Sequence, residues 1–285
     1  MSAQTPPSVL LFGCGKIGTH LGNALVRSRH RVFAVRRRIE TLPAAFTGIA
    51  LDYCRPGDVD LPAVDSVVIT LTPGSPRTDP VDLVSPLCWL VSALPTPPRR
   101  VILVSSTGVF AGAPGERVIT ESDAPQPTTV RAQALLDSEL AARGLFGASV
   151  IRPAGIYGPG REHLIRQVAG GVAIDHQRRT NRVHETDLVR ALYKLLQVST
   201  PPTTLHAVDD EPATRGEVAR HIARRLNVPV PPALPTGPSG YTISGAAFKA
   251  FLGDLRYPDY RTGYDEIIER DHGLSMPGDD RIADR

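Results

Sequence analysis

Lysine is nearly missing from this chain. Of 32 basic residues in 285, only Lys16, Lys194 and Lys249 are lysine, and the rest are arginine. Set against 29 acidic residues, the net charge is +3 and dispersed, which argues against a nucleic-acid partner. Cysteine is scarce as well. Cys14, Cys54 and Cys88 are an odd set with no C-x-x-C spacing, so reduced thiols are expected rather than a disulfide framework. The eight histidines show no ligand spacing: His184-Glu185 opens like H-E-x-x-H, but position 188 is leucine, and no metal is predicted. No apolar run approaches the ~18 residues of a membrane span. The opening Met-Ser-Ala-Gln-Thr-Pro-Pro lacks the basic-then-apolar pattern of a secretory leader. These absences predict a cytoplasmic protein without membrane, metal or nucleic-acid partners.

What is present is an ordinary globular composition, 41% hydrophobic and 21% charged. One stretch stands out. Val9-Leu10-Leu11-Phe12 reads as a buried strand, Gly13-Cys14-Gly15-Lys16-Ile17-Gly18 as a glycine turn, and the following residues to Val26 as a helix. At G-x-G-x-x-G spacing the glycines give a tight turn, close backbone approach to a diphosphate, and close helix–strand packing. The helix N-terminus adds unpaired N–H groups and a positive dipole end. Gly13, Gly15, Lys16, Ile17 and Gly18 are therefore the predicted cradle of a dinucleotide.

Strand-like runs at 8–12, 31–35, 48–52, 65–71, 100–105 and 148–152 alternate with helical patterns at 17–29, 80–94 and 128–143. That alternation predicts an α/β fold with a Rossmann-type, doubly wound parallel sheet. The crossover at 53–64 is short and turn-rich. After residue 155 the pattern changes: helix 161–169, strand 180–184, helix 185–198, strand 204–208 and helix 214–226. Thr214 with Glu217 forms a capping-box start signal for the last. Residues 8–160 are expected to form the dinucleotide-binding core, 161–272 a small C-terminal substrate lobe with additional core strands, and 273–285 a frayed tail.

The second strand ends about twenty residues past the glycine turn, where a carboxylate selects NAD and arginine accommodates the 2′-phosphate of NADP. Here stand Arg36-Arg37-Arg38, with no acid before Glu40. Guanidinium grips phosphate bidentately, so NADP(H) is predicted, with NAD(H) as the other option. Asp52, at the third strand's end, is a candidate for the adenine amino group or a turn former.

Three further segments carry a resemblance. Arg100 to Phe110 (R-V-I-L-V-S-S-T-G-V-F), Ile151 to Arg161 (I-R-P-A-G-I-Y-G-P-G-R) and Asn181 to Leu188 (N-R-V-H-E-T-D-L) resemble, in order, three motifs of the extended short-chain dehydrogenases/reductases. With Tyr257 to Tyr264 the resemblance spans roughly residues 8–270, and it is greatest to the atypical epimerase/dehydratase-like branch whose turn reads G-C-G-x-x-G. It implies a nicotinamide cofactor, a small-molecule substrate held between core and lobe, and homodimers through the helices at 80–94 and 128–143. On the first of these, Leu83, Leu87, Trp89 and Leu90 would either pair or pack on the sheet. By position it implies that Ser106 hydrogen-bonds the reacting oxygen, that Ser105, Leu71 and Thr72 lie beside the cofactor, and that Arg161 and Arg182 touch substrate.

The family's proton donor is a tyrosine activated by a lysine one helical turn on. Aligning the apolar run of 128–143 puts Thr129 at the tyrosine position and Gln133 at the lysine position, and neither can do that work. No Tyr-x-x-x-Lys exists anywhere in the chain. Tyr157, with Arg161 or Arg182 lowering its pKa, is the alternative acid; otherwise it is a structural tyrosine under the turn. The leading expectation is an NADP-dependent oxidoreductase acting on a small carbonyl, imine or alkene. The alternatives are a non-catalytic NADP-binding sensor and a nucleotide-sugar epimerase or dehydratase, the last depending on the missing tyrosine.

Overall fold

The structure, a computed structural model, describes residues 6–53, 55–71, 82–111 and 117–272. The first half runs β1 (Ser8–Phe12), α1 (Lys16–Arg27), β2 (Arg31–Arg36), β3 (Thr47–Ala50), β4 (Ser66–Ile69), α2 (Ser85–Ala93) and β5 (Arg100–Val104). A 3-10 turn (Thr107–Phe110) follows, then β6 (Val118–Ile119), α3 (Val130–Phe146), β7 (Ser149–Pro153) and β8 (Gly155–Tyr157). The second half runs α4 (His163–Ala169), β9 (Arg179–Thr180), β10 (Arg182–His184), α5 (Glu185–Gln197), β11 (Thr204–Ala207) and β12 (Ala213–Thr214). It closes with α6 (Arg215–Leu226), β13 (Thr242–Ile243), α7 (Ala246–Leu252) and α8 (Tyr260–His272).

Seven strands make one parallel sheet in the order β11-β7-β5-β4-β1-β2-β3. The chain builds outward from β1 to β2 and β3, then returns to β4 on the other side. That reversal leaves a crevice at the carboxyl ends of β1 and β4, the place where such sheets bind ligands. β1, β4 and β7 are buried along their whole length, as strands covered on both faces must be. Successive side chains alternate between the two faces. Leu10, Phe12, Val67, Ile69 and Leu103 face α2 and α3, whereas Leu11, Val68, Ile102 and Ile151 face α1 and α5. Each fully buried Leu, Ile or Phe side chain contributes about 1.5–3 kcal/mol. A third, separate core holds the lobe together, with Ile165, Val168, Val218, Ile222, Ile267 and Ile268 packed between α4, α6 and α8.

The expected elements are present with local adjustments. The β3–β4 connection carries no helix among its described residues. The run 180–184 splits into β9 and β10 at Asn181, whose amide donates to the Tyr241 carbonyl (2.8 Å) and accepts from Ile243 N–H (2.8 Å). The capping box forms: Thr214 Oγ1 accepts from Glu217 N–H and Glu217 Oε2 accepts from Thr214 N–H. Leu83, Leu87 and Leu90 belong to the chain's own core, and Trp89 stacks on Phe12 with ring centroids 6.2 Å apart. Helices α7 and α8 were not foreseen. The tail at 273–285 lies outside the described residues.

Candidate functional site

With β1 ending at Phe12 and α1 starting at Lys16, three residues make the turn between them. Gly13 has φ +87°, and a Cβ there would sit 3.2 Å from the Thr70 carbonyl oxygen, so only glycine fits without strain. Thr70 Oγ1 donates to the Gly13 carbonyl at 2.7 Å, and the Gly13 and Cys14 N–H groups donate to the Val35 carbonyl at 3.2 and 2.9 Å. The turn is thereby stitched to the ends of β4 and β2. A Cβ on Gly18 would approach Cys14 Sγ to 3.2 Å, so the first turn of α1 packs closely on the glycine turn, where the spacing predicts close packing on the strand. Burial pushes the Cys14 thiol up, so it stays protonated and acts as a small filler.

Gly15 differs. A Cβ there would meet only the Gly13 carbonyl oxygen, 4.0 Å away, so its outer face is open to a ligand. Lys16, Ile17 and Gly18 open α1, whose first turn contains no acid to compete with an anion. This cradle fits a diphosphate.

A cleft of about 300 Å³ extends from the cradle across the strand ends. Gly13, Gly15, Lys16, Ile17 and Gly18 line one end, Thr70 and Leu71 the floor, and Ser105, Ser106, Pro153 and Ala154 the far end. Thr72, predicted beside Leu71, lies outside the described residues. Neighbouring strands are about 4.8 Å apart, and β5 is two strands from β1, so Ser106 stands roughly 10 Å beyond the glycine turn. Ser106 Oγ accepts from Gly108 N–H at 3.0 Å, which orients the hydroxyl and leaves its proton to donate.

Helix α3 corrects the sequence reading. Thr129 is its N-cap, accepting from Ala132 N–H at 3.1 Å, and Gln133 donates to Asp137 Oδ1 at 2.7 Å on the outer surface. Neither lines the cleft. The α3 residues that do are Arg131 and Leu135, again one turn apart. The face of α3 on the cleft thus presents a guanidinium and an aliphatic chain. The apolar run does not tell which residues face the cleft, because α3 gives no clear phase. Val130 and Leu140 are 69% and 59% exposed, while Ser138 and Glu139 are buried.

Tyr157 is corrected as well. Its side chain lies in the lobe core, 3% exposed, stacked on Tyr264 (4.8 Å) and edge-on to His184 (5.1 Å). Its hydroxyl donates to the Asp259 carbonyl at 3.3 Å. Burial, chiefly, drives its pKa far above the ordinary phenol value; Arg182 opposes this and is outweighed. A phenol held that firmly neutral, outside the cleft, is a packing group. Arg182 shares the same interior: it is 5% exposed, its guanidinium bonded to Thr180 and lying over the Tyr260 ring. It does not line the cleft, so substrate contact is not its task.

Arg161 does line the cleft, opposite Lys16. Both converge on Glu185, a 3% exposed carboxylate at the start of α5, with Lys16 Nζ at 2.9 Å and Arg161 Nε at 3.5 Å from Oε2. His20 Nδ1 lies 3.7 Å from Oε1. This carboxylate fixes two cations at the diphosphate end while only partly neutralising them.

Below the far end lies a buried network that the sequence reading missed. Glu139 accepts from Ser105 Oγ (2.6 Å), from Arg152 Nε (2.9 Å) and from Arg152 Nη2 (2.7 Å). Arg152 Nη1 sits 3.2 Å from His206 Nε2, and His206 meets the Phe110 ring edge-on. Burial, reinforced by Arg152, lowers the His206 pKa to about 4 and keeps it neutral. The network fixes Ser105 in the cleft wall. An arginine and a histidine inside otherwise apolar strands were the available signal.

At the other end, Arg36 closes β2, half-buried and close enough to the glycine turn for its charge to act on Cys14, and Arg37 follows on the surface. Asp52 is exposed beyond β3, its carbonyl accepting from Arg55 N–H in a turn. Among the described residues no cluster of three His, Cys, Asp or Glu side chains could hold a metal ion, and no helix is long and apolar enough to cross a membrane.

Sheet order, switch-point crevice and glycine cradle together define a Rossmann-type dinucleotide-binding fold, the fold of the NAD-dependent epimerase/dehydratase proteins. The fold is shared with a Methylobacillus flagellatus NAD-dependent epimerase/dehydratase-type protein (TM-score 0.77, 24% identity, covering 94% of this chain and 100% of that one). It is shared also with MoeE5, solved with UDP-glucose and NAD (TM-score 0.73, 25% identity, covering 94% and 100%). No protein-family model matches the chain. A Streptomyces 3-diazoavenalumate denitrifying reductase is 35% identical over 150 residues, 47% of this chain and 49% of that enzyme, so the match spans about half of its length. Protein YeeZ of Escherichia coli K12 is 32% identical over 216 residues, 72% of this chain and 77% of YeeZ. The chain belongs to the family of Protein YeeZ.

Proposed function

We propose that this protein is an NADP(H)-dependent reductase of a small carbonyl, imine or alkene metabolite. The observation that carries the reading is the cleft itself: an open glycine cradle flanked by Lys16 and Arg161, leading to an oriented serine hydroxyl. Gly15, Lys16, Ile17 and Gly18 would hold the diphosphate, and Arg36 with Arg37 the 2′-phosphate. A bound reduced nicotinamide supplies hydride, the step the cofactor itself carries. Ser106 donates a hydrogen bond to the heteroatom of the acceptor, and solvent provides the proton. The reductase among the relatives supports reductive chemistry.

The residues of α3 weigh against sugar epimerisation, which needs a phenol on the face where Arg131 stands. Tyr241 is the nearest candidate, lining a cavity beyond Ser106, but its hydroxyl donates to the Thr107 carbonyl at 2.9 Å and burial pushes its pKa up. The same absence favours the second reading, a nucleotide-binding sensor without turnover. The test is to titrate purified protein with NADPH and NADH, then follow loss of reduced-nicotinamide absorbance over aldehydes, cyclic imines and enones. NADPH should bind about 10–100-fold tighter than NADH, the worth of hydrogen bonds to a charged phosphate, and Arg36→Glu should erase the difference. Equal affinities refute the NADP assignment. Tight binding with no consumption across the panel establishes the sensor instead.

A further inference from the structure

We propose that Glu185, a residue of the second half that does not line the cleft, sets the affinity of the dinucleotide site by holding Lys16 at the glycine cradle. This deepens the reductase reading and rests on it for the diphosphate in the cradle. Glu185 follows His184 in the pair that opens like a metal motif, and its surroundings give it another use. It starts α5 and is 3% exposed. Two further elements meet on its carboxylate. From α1 come Lys16 Nζ, 2.9 Å from Oε2, and one turn later His20 Nδ1, 3.7 Å from Oε1. From the turn between β8 and α4 comes Arg161 Nε, 3.5 Å from Oε2. That turn leaves room for the glutamate: a Cβ on Gly158 would lie 2.6 Å from Glu185 Cγ. Gly160 lies equally close on the lysine, since a Cβ there would be 3.3 Å from Lys16 Nζ.

A carboxylate beside a phosphate site acts in two opposed ways. It competes with the phosphate for the cations, and it holds those cations in place. Holding matters because a lysine is among the side chains that lose most rotamer freedom when they close on a ligand. A lysine already fixed gives up less on binding, which is how preorganisation raises affinity. The geometry favours holding. One carboxylate faces two permanent cations, so the cluster keeps a positive excess for the diphosphate. Among the described residues, Lys16 Nζ and Arg161 Nε are enclosed yet make no aligned hydrogen bond. Their N–H groups remain for phosphate oxygens, and hydrogen bonds between charged partners are the strong kind. Glu185 is also enclosed by its own turn, so it stays in place when a diphosphate draws the lysine forward. The cradle is thereby completed from the second half of the chain.

The test is a double-mutant cycle read as dissociation constants by calorimetry, with NADPH and inorganic pyrophosphate as the two probes. Lys16→Met should weaken NADPH binding by about tenfold or more in the parent. In Glu185→Gln the same substitution should cost about threefold or less, because an unheld lysine contributes less. Glu185→Gln alone should weaken binding by about threefold or more, and Glu185→Asp, which keeps the charge, should recover part of that loss. A merely structural role for Glu185 would leave the Lys16 effect equal in both backgrounds, and that result overturns the proposal. So does tighter binding by Glu185→Gln, or a larger Lys16 effect in its background, since either makes Glu185 a competitor for the cations. If neither NADPH nor NADH binds but pyrophosphate shows the same coupling, the reductase reading fails and the positioning role stands. If NADPH binds and is consumed without coupling between Lys16 and Glu185, the reverse holds. A parent that binds none of the three overturns both.

Discussion

Glu139 is the carboxylate on which the far end of the cleft depends, and replacing it by alanine is the most demanding check on this structure. It is 1% exposed and its partner Arg152 5%, with two oxygen–nitrogen pairs at 2.9 and 2.7 Å. Removing one member of such a buried pair leaves the other charge stranded, at a cost of about 3–5 kcal/mol. That is a large share of the roughly 5–15 kcal/mol by which a domain is stable. At about 2–3 °C per kcal/mol for a chain this long, Tm should fall by about 6–15 °C. The double variant Glu139→Leu/Arg152→Met removes both charges and should recover most of the loss, since apolar replacements of buried pairs are near neutral. Urea unfolding and calorimetry measure this directly. A second readout is the His206 titration by NMR, which in Arg152→Met should move upward from about 4 as the cationic neighbour disappears, with burial still holding it below the ordinary 6.5. A loss below about 1 kcal/mol in Glu139→Ala, or a double variant as unstable as the sum of the singles, would refute the reasoning.

Gly13→Ala should fold yet bind NADPH about 5- to 30-fold more weakly. Its φ of +87° and the Thr70 carbonyl 3.2 Å away force the turn to shift at a cost of about 1–2 kcal/mol; unaltered affinity in a fluorescence titration contradicts this. Asp209, buried beside Arg182, has its pKa pushed up to about 8 by burial, with Arg182 and the Glu211 N–H opposing. Unfolded, it titrates near 3.9, so between about pH 4 and 8 the folded state holds a proton that the unfolded state releases, and this group's contribution to stability falls as pH rises. Asp209→Asn lacks that loss, so its advantage over the parent should widen from pH 5 to pH 8 by up to about 1.4 kcal/mol per unit, then level off. A gap independent of pH excludes the raised pKa.

Much of the sheet was legible because its strands are continuous apolar runs and its turn is written in glycine. Thr214 and Glu217 announced α6 through local hydrogen bonds alone. The α3 register was not legible, because an amphipathic pattern tells position only when polar residues stay outside, and here Ser138 and Glu139 are buried while Val130 and Leu140 face water. Helices α7 and α8 draw their packing from distant partners, α7 from β11 and α5, α8 from α6, which no local pattern reveals. Tyr157 and Arg182 carried the right residue types for a site, but burial, invisible in the sequence, places them in the lobe core.

The interleaving of the two halves has a practical consequence. β11, from beyond residue 200, is the sheet's outer strand next to β7, and α5 roofs Ile102 and Ile151 with Leu188 and Leu192. A polypeptide severed after residue 160 would therefore leave β7 with an unpaired, adhesive edge and strip the covering from one side of the nucleotide fold. Anyone wishing to study nucleotide capture apart from the lobe should trim loops, and keep the chain in one piece.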